Sequence, residues 1–547
     1  MVAEILAQQI WLEDDSVNAP VNSKIFPGKV SFGSANSPAM LSNSHCTLYP
    51  QVSSIRYQSL DTLIMTFSVS FKGALAGYIQ EHVYVQSNTG TSYWDTQSAG
   101  NWHWFGGSNS GFPLPSAFVS CVTAATGPAT CPLVANSQSG YTIPYLLSSA
   151  LVVGRSGITI CGAGTNSATC GVGTYPTVLQ RSPTYDSGRL LSIVNNVNNV
   201  AISNLTLDGN RNGVEGSPGA YRVLNDVCEA NGCADLWIGD TNTGATFISI
   251  TASRFTNTGR FSIVIQNAPT NQNVTNNISI TNSLFEEGHE TFINSGSFNP
   301  LGPSDSGCGA FDTPAKLAVA VPRVITIQGN TFIRSYTGAV GFQHAQTATV
   351  SNNTFIDNQY FPNADETSGG MLVTFFCTDD ITISNNFFDG TNVGGIGAQG
   401  MELHGLRHTL NNNRVFNIPG AGMYMNGVQH LSLEDLVLSP PNRTIVQNAG
   451  VGQKFYSVKS IGGFQLQNER SFQTVHDVDI HGITSQLNPI GFFFFADADT
   501  VMEQTMDNIH IANGCFTQNV VSPPIVVDSS VILTNSSFSY ACPAPIH

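Results

Sequence analysis

From about residue 140 onward, short apolar–polar alternations recur as an internal repeat. Each unit has a β-branched strand, then Asn or Ser, an apolar residue and a Gly or Asn turn, as in Ile278-Ser279-Ile280-Thr281-Asn282-Ser283-Leu284-Phe285. Equivalent apolar positions lie 23 to 48 residues apart, and the spacings of 48 and 47 fit two coils or one coil with a long loop. These positions are Ile202, Ile250, Ile280, Ile327, Val350, Ile383, Leu410 and Leu433. A repeat of this period indicates a solenoid.

Units of strand length at this spacing predict the coils of a parallel β-helix. Each coil buries an inward apolar row and pairs its backbone with the coils above and below. Asn at a tight turn tolerates the left-handed backbone conformation. Stacked Asn side chains can also hydrogen-bond along the axis in ladders. We therefore expect an all-β chain whose turns are built from Asn and Gly.

On the "I-x-I-x-N-N-x-F" repeat and the entry segment Gly157-Ile158-Thr159-Ile160-Cys161-Gly162, residues from about 140 to 545 resemble the pectate-lyase-like right-handed parallel β-helix superfamily. The resemblance implies right-handed coils. Members of that superfamily mostly cleave or epimerise polysaccharides, and others are tailspikes, adhesins or fibre components. A fold of this kind does not by itself decide the function.

The chain divides into four predicted segments. Residues 1–26 look like a leader or tail, and 27–105 alternate with turn residues in the manner of a small antiparallel β-sandwich. Residues 106–139 are expected to form a linker and β-helix cap, and 140–547 the β-helix itself. Trp94, Trp102 and Trp104 near the end of the sandwich either stack on sugars or fill its core.

Charged residues are scarce in this chain, and their number and sign argue against some classes of function. The 547 residues include only 20 Lys+Arg and 36 Asp+Glu, 10% in all, against about 25% in a typical soluble chain. Like residues of successive coils stack about 4.8 Å apart, so a β-helix tolerates few charges. The net charge of −16 argues against a nucleic-acid partner. No apolar run reaches the 18 residues of a transmembrane helix.

The cysteines favour a secreted or cell-surface protein. No signal peptide is recognisable at the start of this chain. Many of the 11 cysteines are nevertheless close in sequence, which suits local disulfides, although buried free thiols are the alternative. The expected pairs are Cys121 with Cys131, Cys161 with Cys170, Cys228 with Cys233, and Cys515 with Cys542; Cys308 could pair with Cys377, leaving Cys46.

In solenoids of the resembled superfamily a long groove follows one sheet, and the strand after each "NNxF" turn would line it. Alternate positions of those strands are rich in amides and aromatic rings, which suit hydrogen bonds and stacking to sugars. The alternative is that these side chains only solvate a sheet. The predicted substrate-binding residues are Gln343, His344, Gln399, Tyr424, Asn426, Gln465 and Gln467.

The few acidic clusters are the candidate catalytic groups. Glycoside hydrolysis needs two carboxyl groups, about 5–5.5 Å apart for retention and roughly 6.5–9.5 Å for inversion, a range that neighbouring coils can provide. Each cluster could instead be a solvated turn. The candidates are Glu286, Glu287, His289, Glu290, Asp379, Asp380, Glu402 and His404.

Three functions stay open on the sequence. A secreted glycoside hydrolase acting through a carboxylate pair is the leading hypothesis. A polysaccharide lyase or epimerase would use a base such as His344 or His404, but the Arg-x-Pro-x-x-Arg run of pectate lyases and the Asp-Pro-His-Glu run of mannuronan epimerases are absent. A non-catalytic adhesin, filament or surface-layer subunit is the third. No cofactor is expected, the metal is unknown, and calcium at Asp379 and Asp380 is left open. The expected partner is a glycan, and an oligomer or filament is possible.

Overall fold

In the computed structural model, residues 9–104 are described only as backbone strand segments, whereas most of residues 112–540 are described in full. Within 112–540 the description omits 125–127, 139–140, 164–168, 172–176, 183–184, 186–187, 211–232, 241–242, 267–274, 289–290, 297–320, 336, 359–369, 391–398, 406, 417, 419–421, 427–428, 435–436, 439–463, 469–474, 482–483, 487–491, 497–503, 518–524 and 530. It also omits the side chains of 375–377, 426, 464–468 and other residues after 426.

Successive coils contribute strands to three parallel sheets, which we call sheets 1, 2 and 3 in the order that the chain visits them. Sheet 1 contains Leu151–Val153, Arg189–Ile193, Ala234–Ile238, Phe261–Gln266, Thr291–Gly296, the first parts of Gly338–Ser351 and Gly370–Ser384, Gln399–Leu403, Met423–Asn426, Phe464–Asn468, Phe492–Ala496 and Ile525–Val527. Sheet 2 contains Ala129–Leu133, Ile158–Gly162, Asn198–Ser203, Thr246–Thr251, Asn276–Thr281, Arg323–Gln328, the second parts of Gly338–Ser351 and Gly370–Ser384, Thr409–Asn411, Gln429–Glu434, Val475–His481, the first part of Gln504–Thr517 and Val531–Thr534. Sheet 3 contains Phe112–Pro113, Tyr145–Leu147, Thr177–Arg181, Leu205–Asp208, Arg254–Thr256, Leu284–Gly288, Thr331–Ser335, Thr354–Ile356, Phe387–Asp389, Arg414–Phe416, Val437–Leu438, Thr484–Gln486, the end of Gln504–Thr517 and Ser537–Tyr540.

The inward rows carry the apolar residues of the repeat. In sheet 2, Ile250 pairs with Ile280 and Ile280 with Ile327, and all three are completely buried. In sheet 3, the Phe that ends each unit forms a stack with ring centroids 4.4 to 4.9 Å apart. The stacked rings are Phe255, Phe285, Phe332, Phe355 and Phe388. The right-handed parallel β-helix predicted from the repeat is therefore confirmed, with one core running along the coil axis.

An asparagine ladder follows the corner between sheets 2 and 3. The buried Asn330, Asn353 and Asn386 each donate Nδ2 to Oδ1 of the Asn one coil further on, at 3.0 to 3.1 Å, and the row ends at Asn413. Each Nδ2 also donates to a backbone carbonyl, as from Asn386 to Val350 at 2.9 Å. Ladders were predicted from the sequence, and the structure assigns them to the second Asn of each "NN" pair.

The first Asn of each pair forms the turn rather than the ladder. Asn352, Asn385 and Asn412 have φ between 51 and 56° and make the turn from sheet 2 to sheet 3. A second left-handed column lies between sheets 1 and 2 and includes Asn277 and Asp380. A third lies between sheets 3 and 1 and contains Asn257, Glu287, Arg334 and Asp357. Each coil thus bends mostly at single residues with positive φ, where Asn is tolerated best.

The column between sheets 1 and 2 includes a strained residue. Val324 has φ 52° and is 41% exposed, although a β-branched side chain strongly disfavours this conformation. Changing Val324→Asn is expected to raise the free energy of unfolding by about 1 kcal/mol, because the left-handed conformation costs about 1–2 kcal/mol. The reverse change Asn277→Val, one coil away at the equivalent position with φ 55°, should lower it by a similar amount. Urea denaturation of both variants checks this. The prediction is wrong if both changes shift the free energy of unfolding in the same direction.

A short helix closes the first coil. Helix Ser116–Thr123 buries Phe118 and Val122 against the start of the core. A disulfide joins Cys121 of this helix to Cys131 of the first sheet 2 strand. The sequence predicted a linker and cap here but no helix. Among the described residues, no helix is long and apolar enough to cross a membrane.

The predicted disulfides are confirmed where they can be seen. Cys121–Cys131 and Cys161–Cys170 are both formed. Cys233 and Cys515 are also disulfide-bonded, while their predicted partners Cys228 and Cys542 lie outside the described residues.

Residues 9–104 form short antiparallel pairs. The strand order 41–42, 46–48 and 69–71 makes a three-stranded sheet, and 54–59 pairs with 62–66. The remaining pairs join 83–86 to 92–95, 77–80 to 101–104, and Gln9–Ile10 to Val30–Ser31. The last pair brings part of the predicted leader into a sheet. How these sheets face one another stays a prediction.

A buried arginine and a buried aspartic acid fill the corner between sheets 3 and 1 in the early coils. Arg181 and Asp235 are both completely buried. Arg181 donates to the carbonyls of Gly188 and Ala234 at 3.1 Å, and Asp235 accepts from the Thr258 hydroxyl at 2.6 Å. Burial raises the pKa of Asp235 to about 8, although Arg181 and Thr258 oppose the rise.

This shift predicts a pH-dependent stability. Between pH 4 and 8 the folded state retains the Asp235 proton while the unfolded chain loses it, so stability falls as pH rises, by at most about 1.4 kcal/mol per pH unit. Changing Asp235→Asn should remove this loss, because the amide stays neutral. The gain in melting temperature over wild type should therefore grow from pH 5 to pH 8. A gain that is constant with pH would contradict the buried acid.

Candidate functional site

The outer face of sheet 1 presents its side chains in rows that run along the coil axis. Met401 and Leu403 point into the core, so Glu402 between them points outward. Glu402 pairs in register with Tyr424 of the next coil, and Tyr424 with Gln465 of the one after. In the same strands the backbone of Asn426 pairs with that of Gln467. The strands predicted to line a groove therefore do form one sheet.

The predicted binding residues differ in their exposure on this face. Gln343 is exposed and lies at a register shift between Phe342 and His344, and His344 is half-buried. Tyr424 is buried although it belongs to an outer row. For Asn426, Gln465 and Gln467 only the backbone is described, so their role in binding stays a prediction.

The structure overturns one binding residue. Gln399 was predicted to line the groove, but it is completely buried. A side chain without exposure cannot contact a ligand on the outer face, so Gln399 is removed from the predicted binding residues.

Glu402 and His404 form a hydrogen-bonded pair on the outer face. Glu402 Oε1 lies 2.9 Å from His404 Nε2. The His404 side chain is buried, whereas the Glu402 side chain keeps 12% of its exposure. Two residues apart on a strand, both side chains point to the same face. The imidazole thus holds one carboxylate oxygen in place while Glu402 is the member of the pair that solvent and a ligand can reach.

Asp379 and Asp380 lie at the corner between sheets 1 and 2. Asp379 is completely buried and forms an ion pair with Arg407, which comes from the following coil and is 40% exposed. Burial raises the pKa of Asp379, and Arg407 opposes the rise. Asp380 has φ 59° and accepts from the Thr347 hydroxyl at 3.2 Å. Asp380 therefore occupies the same left-handed turn position as Asn277.

Glu286 and Glu287 do not join these groups. Glu286 pairs with Arg254 of the preceding coil, and Glu287 pairs with Arg334 of the following one. They lie on sheet 3 and at its corner with sheet 1, whereas Asp379 lies at the other edge of sheet 1. The intervening strands have about six residues and span about 20 Å, beyond the separation of a hydrolytic carboxylate pair. His289 and Glu290 lie outside the described residues.

The described residues provide no candidate metal centre. Among them, no group of three or more His, Cys, Asp or Glu side chains could hold a metal ion. Asp379 is instead engaged by an arginine, whose positive charge disfavours a cation there.

Comparison with known proteins supports the fold. Residues 315–435 match a family model described as "Right handed beta helix region". This match confirms, at the level of fold, the predicted resemblance to the pectate-lyase-like right-handed parallel β-helix superfamily. No curated protein matches the sequence significantly.

Solved structures similar to the chain include three enzymes. The A-module of the Azotobacter vinelandii mannuronan C-5 epimerase AlgE4 is 11% identical, with a TM-score of 0.41 over 78% of this chain and 98% of that one. A family 28 exopolygalacturonase from Yersinia enterocolitica is 11% identical, with a TM-score of 0.39 over 88% and 87%. An alginate lyase from Paenibacillus sp. is 13% identical, with a TM-score of 0.36 over 59% and 95%.

Proposed function

We propose that this protein is a glycoside hydrolase that acts on a polysaccharide bound at the outer face of sheet 1. The observation that carries the proposal is the hydrogen-bonded Glu402–His404 pair, in which a partly exposed carboxyl group is held by a buried imidazole. A carboxyl group held in one orientation beside a sugar is what general acid–base catalysis at a glycosidic bond requires.

In this proposal Glu402 is the catalytic residue. Its carboxyl group, hydrogen-bonded to His404, gives a proton to the leaving glycosidic oxygen and later takes one from water. His404 fixes the carboxyl group, since its own ring is buried. The second carboxyl group of the mechanism is not assigned, because Asp379 is buried in its ion pair with Arg407.

A polymeric substrate is supported by the way the outer rows continue over several coils. Glu402 and Tyr424 lie in register on neighbouring coils, about 4.8 Å apart. The exposed Gln343 lies two coils before Glu402. A chain of sugars lying along the axis would therefore pass Gln343 on one side of Glu402 and Tyr424 on the other.

A second candidate is a lyase or epimerase acting on a uronate polymer. It is favoured by Arg407, a half-exposed guanidinium five residues after Glu402, because arginine binds carboxylates well. Tyr424, in register with Glu402, would be its proton donor.

We also propose that the protein works outside the reducing cytosol. Two complete disulfides and two further disulfide-bonded cysteines support this, because such bonds persist mainly in oxidising compartments.

A polysaccharide panel tests the proposed reaction. Neutral and uronate polymers are incubated with the protein, and both new reducing ends and the ultraviolet absorbance of an unsaturated sugar are followed. Reducing ends alone support hydrolysis. Both signals together overturn hydrolysis in favour of β-elimination. Neither signal on any polymer favours the non-catalytic hypothesis.

A further inference from the structure

Buried polar side chains form a cage around the backbone carbonyl of His404. The His404 carbonyl oxygen accepts hydrogen bonds from the Thr374 hydroxyl at 2.8 Å and the Thr378 hydroxyl at 3.0 Å. The ring of His408 contacts the same oxygen through Nε2. Thr374, Thr378 and His408 are all buried. Three side chains thus contact a single carbonyl oxygen, which is more than the one or two hydrogen bonds that a backbone carbonyl normally accepts.

The bonds of His408 fix its protonation. The backbone N–H of Ile381 donates to Nδ1 at 3.3 Å, so Nδ1 is an acceptor and Nε2 must carry the proton. Burial lowers the pKa of His408 to about 4; His404 and Arg407 also disfavour its protonation, and Asp380 and the bond to His404 favour it. The ring is therefore neutral at ordinary pH and donates to His404.

The cage also shapes the turn that carries two site residues. His404 is followed by a bend at Gly405, whose φ is +102°. A Cβ at Gly405 would lie 2.4 Å from the Thr378 carbonyl oxygen and 2.5 Å from the Thr378 hydroxyl. Only glycine fits there. His408 thus closes the turn from its far end, four residues after His404.

We propose that His408 is a positioning residue that, through the His404 carbonyl, holds the His404 ring against Glu402. This rests on the proposed function for its catalytic meaning, but the orientation of His404 can be measured without a substrate. Loss of the His408 bond lets the turn relax, so the Glu402–His404 bond is no longer formed in every molecule. A misplacement of about 1 Å at a catalytic group can cost about 100-fold in rate.

The experiment compares two His408 variants with a control. His408→Leu removes all polar contacts of the ring, and His408→Gln keeps a donor at a similar reach. Asn413→Leu removes a buried polar residue of the same coil outside the cage. The tautomer of His404 is read from its ring ¹⁵N shifts, assigned by loss of the signal in His404→Gln. The kcat and KM are measured on the substrate found in the panel.

For His408→Leu we expect a mixed tautomer at His404 and a kcat about 10- to 100-fold lower, with KM within about twofold. His408→Gln should recover most of both. The proposal is overturned if His408→Leu leaves the His404 signal as unchanged as Asn413→Leu does. If the wild-type protein turns over no polysaccharide, the proposed function fails, and the ¹⁵N signal alone still decides the positioning role.

Discussion

Changing Glu402→Gln is expected to lower kcat by about 100- to 10,000-fold, the usual contribution of a general acid–base group. The amide has nearly the same shape and can keep its contact with His404, but it cannot release or take up a proton. KM should stay within a few-fold, because the binding surface is preserved. Steady-state kinetics on the polymer identified in the panel provide the measurement.

The matched control is Glu286→Gln on sheet 3. That change also removes one carboxylate from an outward strand position, but Glu286 is engaged by Arg254 and lies far from Glu402. Its kcat should stay close to that of wild type. Equal losses in the two variants would remove Glu402 from the active site.

The largest loss of stability is expected for Asn386→Leu. This change deletes the acceptor for the Asn353 N–H and Nδ2 and removes the Nδ2 donor to the Val350 carbonyl and to Asn413 Oδ1. Asn413 Oδ1 keeps only its bond from the backbone N–H of residue 386. Buried polar groups without partners cost about 1–3 kcal/mol each. We expect the free energy of unfolding to fall by about 3–5 kcal/mol, measured by chemical denaturation.

Asn385→Gly is the control for the ladder. Asn385 is the adjacent Asn of the same pair, but it is exposed and has φ 55°, a conformation that glycine adopts freely. The change should alter stability by less than about 1 kcal/mol. Similar losses in both variants would mean that the turn, rather than the ladder, stabilises this corner.

The fold was predictable because the repeat reports the same environment many times. Ile280 and its equivalents alternate with polar residues in coil after coil, and Phe285 and its Phe equivalents end five successive units. A single coil would be ambiguous, whereas the repetition fixes both the inward row and the turn. The sequence could not show which Asn of each pair forms the ladder, because the two residues are adjacent and chemically identical.

The site was predictable only in part, for reasons of geometry. Glu402 and His404 are two residues apart on one strand, so their shared face follows from the strand period. The partner of Glu286 lies 32 residues away and that of Asp379 28 residues away. No local pattern distinguishes such an ion pair from a catalytic carboxylate. Thr374 and Thr378 carry no sequence signal either, since their importance arises from where the coils stack.

The asparagine ladder also determines where this protein can change. In the coils that carry the ladder, two residues separate each strand of sheet 2 from the next strand of sheet 3. At the edges of sheet 1 the chain instead inserts about 25 residues several times, for example between Thr291–Gly296 and Arg323–Gln328. Insertions and loop exchanges should therefore be tolerated beside Glu402 and rejected at the ladder. The corner with the ladder thus keeps the coils in register. The edges of sheet 1 are where the chain can change and new specificities can evolve.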